Sequence, residues 1–286
     1  MKKFYILIPT YNDWKSLNKL LSKINKSIAD TKNEFKIIIV NDASTIKPEL
    51  KVKKLKRIRT IEIINLKENH GSQKAICIGL KYLKAKSIKG VITIIDSDGE
   101  DDPSKINKLI KMAEINPRFV ITANRQSRTE NIFFRFINIC RLLITYVLTG
   151  KYINFGNFSS FSSLNLNQIL SNSNSWKAYS AGIAKNCKNI KRCFIKKNKR
   201  YFGSSKVGFL FLIIHSINII SVFKKEIFLR SIFLILAIFI LINNINIFLI
   251  ATFTLILINY FSFSNNNLFL FKNCLKQIKN IKKIKL

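Results

Sequence analysis

A chain of 286 residues with 49 Lys and Arg against 15 Asp and Glu, a formal charge of +34, has length for one large domain plus an appendage and is too basic for an ordinary mixed-charge surface. Residues 131–286 hold one acid, Glu226, among 22 Lys and Arg, but the stretch from Val207 to Phe271 is dominated by Ile, Leu and Phe, which excludes a nucleic-acid module and points to an anionic membrane leaflet. Five cysteines without C-x-x-C spacing and only two histidines, His70 and His215, exclude a disulfide framework and a zinc site, and read as reduced thiols in a cytosol-facing protein.

Met1 to Pro9 has two lysines and a short apolar run but no cleavage site, so it reads as a first strand rather than a signal peptide. Strand-like runs follow at Phe35 to Val40, Ile61 to Ile64, Val91 to Ile95 and Phe119 to Thr122. Between them lie helical patterns: Leu17, Leu20, Leu21, Ile24 and Ile28; Ser72 to Lys84; and Pro103 to Ala113. That alternation predicts an α/β domain over residues 1–125 with a mostly parallel sheet, its strands apolar because both faces are covered.

Five of the fifteen carboxylates fall in seven residues directly after the fourth strand: Asp96, Asp98, Glu100, Asp101 and Asp102. Like charges about 4 Å apart repel by roughly 4 kcal/mol at an effective dielectric near 20, so the knot calls for a compensating cation. A hard divalent metal with phosphate oxygens on its far side suits oxygen ligands at the carboxyl end of a strand. The plainer alternative is a solvated turn, and Asp102 reads in either case as the cap of a helix opened by Pro103.

Residues 126–206 are basic and rich in Asn and Ser, and read as loops and amphipathic helices over the active-site mouth, with an apolar helix around Phe133 to Leu148. Residues 207–226, interrupted by His215, Ser216, Asn218 and Ser221, read as an interfacial helix, and His215 as a helix-packing residue. Residues 227–264, broken by Asn243, Asn244 and Asn246, read as a transmembrane helical hairpin of two short spans. Residues 265–286 place Leu275, Ile278, Ile281 and Ile284 at threes among six lysines and read as a basic amphipathic helix on the inner leaflet. Basic flanks on both sides of the hairpin put both termini and the α/β domain in the cytosol.

The polar loops after the strands are Pro9-Thr-Tyr-Asn-Asp13, Val40-Asn-Asp42, Asn69-His-Gly71, Asp96-Ser-Asp98 and Asn124-Arg125. Each alone is weak; in that order, each at a carboxyl strand end, they form a nucleotide site. Asp42 suits a nucleobase or ribose, or else a simple turn; Tyr11 can pack on a base; Gly71 permits close backbone approach. Trp14, Trp176 and His70 read as packing or loop residues.

The segments ILIPTYND, IIIVNDAS, ENHGSQKAICIGLKY, DSDGEDDP and RYFGSSK resemble the family 2 inverting glycosyltransferases of the GT-A fold, in the branch of dolichyl-phosphate mannose synthase and the polyprenyl-phosphate glycosyltransferases. The resemblance covers residues 1 to about 225, and the basic R-x-x-G-x-S-K motif before an apolar segment is its most specific part. It implies that Pro9, Tyr11, Asp13, Val40 and Asp42 hold the nucleoside of a nucleotide-diphosphate sugar, that Asp96 and Ser97 reach ribose and diphosphate, and that Asp98 and Glu100 hold Mg²⁺ or Mn²⁺. Arg125, Arg200 and Lys206 would clamp phosphates, with Asp98, Arg200 and Lys206 as the catalytic set. Asp13 stands where Glu is usual and Glu100 where Gln is common.

A lipid-linked phosphate acceptor needs no base, and Arg128, Arg135 and Ser205 are its implied contacts; positive-inside anchoring is the other use for these arginines. A sugar hydroxyl acceptor would need Asp101 or Asp102 as base. A basic membrane scaffold is the non-enzymatic alternative, and no motif reports an oligomeric state.

Overall fold

A computed structural model of the chain describes residues 2–28, 33–51, 55, 57–125, 132–203, 209–241, 245–264 and 268–286. In chain order the elements are β1 (Lys3–Thr10), α1 (Trp14–Ser27), β2 (Glu34–Asn41), β3 (Ile58–Leu66), α2 (Ser72–Ala85), β4 (Val91–Ile94), α3 (Ile106–Ile115), β5 (Val120–Arg125), α4 (Ile132–Thr149) and β6 (Phe155–Ser162). They continue with the short helices α5 (Leu166–Ile169) and α6 (Asn174–Lys177), then α7 (Tyr179–Asn186), β7 (Ile190–Ile195), α8 (Phe209–Ser221), α9 (Lys224–Leu241), α10 (Ile245–Ser264), α11 (Leu268–Lys272) and β8 (Ile278–Lys285). They divide into two compact units: Met1–Arg128, Phe155–Lys206 and Phe269–Leu286 form one, and Thr129–Asn154 with Val207–Leu268 the other.

The first unit is built on one eight-stranded sheet in the order β7-β5-β6-β4-β1-β2-β3-β8. Its centre is parallel, with β4, β1, β2 and β3 side by side, while β6 runs antiparallel to both β4 and β5 and β8 runs antiparallel to β3. β1 explains the layering. Its side chains alternate, so Phe4, Ile6 and Ile8 join Leu17, Leu20, Leu21 and Ile24 of α1 and Ile106, Leu109 and Ile110 of α3 on one face. Tyr5 and Leu7 join Ala75, Ile76, Leu80 and Leu83 of α2 on the other. Both faces are covered, as the continuous apolar runs require. Trp14 and Trp176 are core residues, 5% and 1% exposed.

Asp102 caps as expected: its carboxylate accepts from the Ser104 N–H at 3.0 Å, opening a single 3-10 turn at Pro103 that runs into α3.

Three expectations change. Residues 126–206 are not only loops and helices, because β6 and β7 lie there and join the sheet. β6 carries no apolar alternation: its Ser159 and Ser160 are buried, and their hydroxyls are satisfied by Tyr179 and Thr93 instead of being excluded from the core. The lysine-rich segment after Gln277 is a strand, not a helix. It pairs with β3, which would otherwise be a bare edge, and a bulge opposite Asn65 and Leu66 leaves Lys279 without a counterpart. Ile278 and Ile281, opposite Leu66 and Ile64, therefore share one face of the ladder, and Ile284, opposite Ile61, lies on the other.

The third concerns the hairpin. The second unit is helical, and α9 and α10 are joined by a hydrogen bond from Asn259 Nδ2 to Ser231 Oγ at 2.9 Å. Arg230 Nη1 donates to the Val147 carbonyl at 3.1 Å, tying α9 to the last turn of α4. Among the described residues no helix is long and apolar enough to cross a membrane. In α9 the charges Lys224, Lys225, Glu226 and Arg230 take up the first two turns. The unit nevertheless turns large apolar side chains outward: Phe233 is 70% exposed and Ile240 78%.

Candidate functional site

The parallel strands carry their polar loops at one end. The first of these, after β1, is fixed by Asn12, whose backbone adopts a left-handed φ of 50°. Its side-chain oxygen accepts from the Thr45 N–H at 2.9 Å and the Ile46 N–H at 3.1 Å, stitching the loop after β2 to the loop after β1. Tyr11, beside it, is 41% exposed. Pro9 and Val40 stand opposite each other in β1 and β2 with buried side chains, so what they offer a ligand is backbone.

Asp42 follows β2 and is 2% exposed. Its two carboxylate oxygens accept from two successive backbone N–H groups in the turn before α2, His70 at 2.8 Å and Gly71 at 2.7 Å. Burial pushes its pKa up, and these two hydrogen bonds work against that rise. Asp42 thus shapes the turn directly.

The acidic loop after β4 is the electrostatic centre. Asp96 is pushed up to about 7 by burial, then by the neighbouring charges of Asp101 and Asp98, while a hydrogen bond from Asn157 opposes the rise. Asn157 Nδ2 lies 3.0 Å from one oxygen of Asp96 and 3.2 Å from the other. Ser97 is buried beside it. Asp98 is also raised, by burial first; its Oδ1 accepts from the Glu100 N–H at 3.0 Å. Between them Gly99 sits at φ +85°, where a Cβ would lie 2.2 Å from the ring of Tyr201.

Cations from one segment answer these carboxylates. Arg200 Nη2 donates to Asp13 Oδ2 at 2.6 Å and Nη1 to Asp98 Oδ2 at 3.4 Å, bridging the loops after β1 and β4. Asp13 occupies the N-cap position of α1 but makes no side-chain cap bond; its carboxylate goes to Arg200. Lys197 pairs with Glu100. The segment is locked down by backbone bonds from Tyr201 N–H to the Asp98 carbonyl at 2.9 Å and from Asn198 N–H to the Glu100 carbonyl at 2.7 Å. Lys19 and Lys23 of α1 lie over the Tyr201 ring at 5.0 and 4.8 Å, and Lys15 over Phe202 at 4.8 Å.

Asp13, Asp96, Asp98, Glu100 and Arg200 are therefore brought together. Arg125 ends β5 and Arg135 lies early in α4, while Arg128, Ser205 and Lys206 lie outside the described residues. Lys197, Asn157, Asn12 and Tyr201 are members that the sequence did not single out. The basic run around R-x-x-G could have pointed to Lys197; nothing local marks Asn157.

Among the described residues no three His, Cys, Asp or Glu side chains converge on one point as a metal cage would require. The neighbouring carboxylates Asp98 and Glu100 are each paired with a basic side chain, Arg200 and Lys197, and offer two oxygen ligands of the kind a hard divalent ion takes when water and substrate supply the rest.

A model described as Glycosyl transferase family 2 matches residues 5–164. An undecaprenyl-phosphate 4-deoxy-4-formamido-L-arabinose transferase of Pseudomonas fluorescens is 28% identical over 132 residues, 46% of this chain and 38% of that protein. A protein of the same description from Salmonella choleraesuis is 27% identical over 153 residues, 53% of this chain and 45% of that one. The matches thus span less than half the length of these relatives. Among solved structures, mannosyl-3-phosphoglycerate synthase of Rubrobacter xylanophilus superposes with a TM-score of 0.57 at 11% identity, over 80% of this chain and 75% of that one. Glucosyl-3-phosphoglycerate synthase of Mycobacterium tuberculosis, in complex with Mn²⁺, UDP-glucose and phosphoglyceric acid, gives 0.54 at 12% identity, over 79% and 80%. At these identities the likeness is one of fold, a GT-A-like α/β architecture.

Proposed function

This chain belongs to glycosyl transferase family 2, and from that premise we propose that it moves a sugar from a nucleotide-diphosphate sugar to a polyprenyl phosphate at the cytosolic face of a membrane. The observation that carries the reading is the Asp13–Arg200–Asp98 bridge, which sets a guanidinium and a carboxylate pair at the strand ends where a diphosphate would lie. The M. tuberculosis neighbour binds Mn²⁺ with its UDP-sugar, and the bacterial relatives are described as acting with undecaprenyl phosphate, which supports both halves of the reaction.

A divalent ion between Asp98 and Glu100 would neutralise charge on the departing diphosphate. Arg200, held at the same loop, exchanges its carboxylate partner for phosphate oxygens, and Lys206 is assigned to the same clamp. Asp96 and Ser97 face the ribose and diphosphate, while Pro9, Tyr11, Asp13, Val40 and Asp42 surround the nucleoside. An acceptor phosphate brings its own nucleophilic oxyanion, so no side chain need act as base; Arg125, Arg128 and Ser205 are assigned to hold it.

The helical unit supports the membrane half of the proposal. Its outward Phe and Ile side chains form an apolar surface beyond what a water-facing helix pair presents, and we place it in the cytosolic leaflet. The test is mass spectrometry of lipids made by membranes carrying the full chain, offered a panel of UDP- and GDP-sugars with Mn²⁺. A sugar joined to polyprenyl phosphate, lost in Asp98→Ala, is expected. A product linked through a sugar hydroxyl would replace the acceptor, and an Asp98→Ala variant as active as wild type would remove the metal role.

A further inference from the structure

Nothing in the reaction as proposed uses Asn157, yet both ends of its side-chain amide are hydrogen-bonded beside the acidic loop. It lies on β6 at the position that the β4–β6 register brings opposite Asp96: Val91 faces Ser162, Ile94 faces Ser159, and the same alignment carried two residues on sets 96 against 157. Its amide nitrogen donates to both oxygens of Asp96, at 3.0 and 3.2 Å.

Two chains of hydrogen bonds converge on Asn157, and both begin at Tyr179, which is fully buried at the start of α7. In one, the Tyr179 N–H donates to Gln73 Oε1 at 2.7 Å, and Gln73 Nε2 donates to Asn157 Oδ1 at 3.1 Å. Gln73 can satisfy both only with its amide in one orientation, which fixes Asn157 with its nitrogen towards Asp96. In the other, Ser159 Oγ donates to the Asn157 backbone carbonyl at 3.0 Å. That takes the single hydroxyl proton of Ser159, so the Tyr179 hydroxyl, 2.9 Å away, must be the donor to Ser159. Every bond in the first chain points the same way, N–H towards acceptor, ending on the carboxylate, an arrangement in which successive hydrogen bonds strengthen one another.

We infer that Asn157 is a positioning residue for donor binding: anchored through Gln73, Ser159 and Tyr179, it fixes the rotamer of Asp96 so that this carboxylate meets the nucleotide in one geometry. This rests on the donor reading given above. A carboxylate crowded by Asp98 and Asp101 would otherwise rotate away from its neighbours, and the amide of Asn157 is the only side-chain donor recorded for it among the described residues.

The test uses the full-length chain with UDP-glucose, UDP-N-acetylglucosamine and GDP-mannose as donor probes, following donor hydrolysis with Mn²⁺. Asn157→Asp is nearly isosteric and still accepts from Gln73, but turns an acceptor towards Asp96. Its donor KM should rise about 10- to 100-fold, the factor carried by one hydrogen bond to a charged group, with kcat within about threefold of wild type. Tyr179→Phe cuts only the hydroxyl arm and should raise KM by about two- to fivefold. If Asn157→Asp keeps the wild-type KM, or loses kcat and melting temperature together at unchanged KM, Asn157 is merely structural and the inference is overturned. If the wild type itself neither binds nor hydrolyses any probe, the donor reading falls first.

Discussion

Arg200 lies 3.4 Å from Asp98, a guanidinium standing against the carboxylate that the proposed metal would use. The same side chain is anchored more closely to Asp13, at 2.6 Å, so its position does not depend on Asp98. Arginine and a divalent ion then compete for one oxygen pair. Arg200→Gln should therefore bind Mn²⁺ alone about 3- to 10-fold more tightly than wild type, by electron paramagnetic resonance of free Mn²⁺, while binding nucleoside diphosphate more weakly. Unchanged or weaker Mn²⁺ binding would show that the two cations do not share Asp98.

Asp96 gives a pH dependence with an unusual sign. Its proton is held up to about pH 7 in the folded chain, against an ordinary value of 3.8. Between those values the folded state binds more protons than the unfolded one, so the contribution of Asp96 to stability falls as pH rises. Asp96→Asn should melt close to wild type near about pH 4 and progressively above it towards about pH 8. Thermal melts of both proteins across that range check it; a constant difference would count against the crowding.

Glu62 behaves in the opposite sense. It is buried on β3, which by itself raises its pKa, but hydrogen bonds from the Tyr82 hydroxyl at 2.7 Å and Lys86 at 3.1 Å outweigh burial and leave it lowered. A depressed carboxylate contributes stability above its unfolded value that is lost as pH falls through the folded one. Tyr82→Phe should cost about 1–2 kcal/mol at neutral pH and less in acid, measured by denaturant unfolding at both pH values. An equal cost at both would assign the loss to packing.

Gly99 is the tightest point of the acidic loop. Its φ of +85° and the ring of Tyr201 both oppose a side chain. Gly99→Ala should destabilise by about 1–3 kcal/mol and weaken donor binding by displacing Tyr201 and with it Arg200. Adding Tyr201→Ala should recover the steric part of the loss but not the backbone part, which a double-mutant cycle on melting temperature separates.

How far the sequence could be read depended on whether a residue's neighbours were near in the chain. The βαβ rhythm, the acidic loop at the end of β4 and the Asp102 cap were legible because periodicity, capping and strand-end position are local; Arg200 was named only by a resemblance of motif. β6 was hidden because its interior is serine and asparagine, satisfied by Thr93, Tyr179 and Gln73 from distant parts of the chain. β8 was misread because isoleucines three apart carry the mark of a helix, whereas here a bulge sets Ile278 and Ile281 on one face of the ladder and ordinary alternation sets Ile284 on the other. Asn157 matters only through a register set by two strands more than sixty residues apart.

The pairing of β8 with β3 also imposes an order in time. Asn65 and Asn280 are joined by a hydrogen bond across 215 positions, and the helices α8, α9 and α10 are all encoded in that interval. During translation the outer side of β3 stays bare until those greasy segments and β8 itself have left the ribosome. Pairing of β3 is thus a late, vectorial event, and until β8 arrives the apolar β3 presents an open ladder that neighbouring polypeptides can join, where the finished sheet presents the lysine-rich β8 instead.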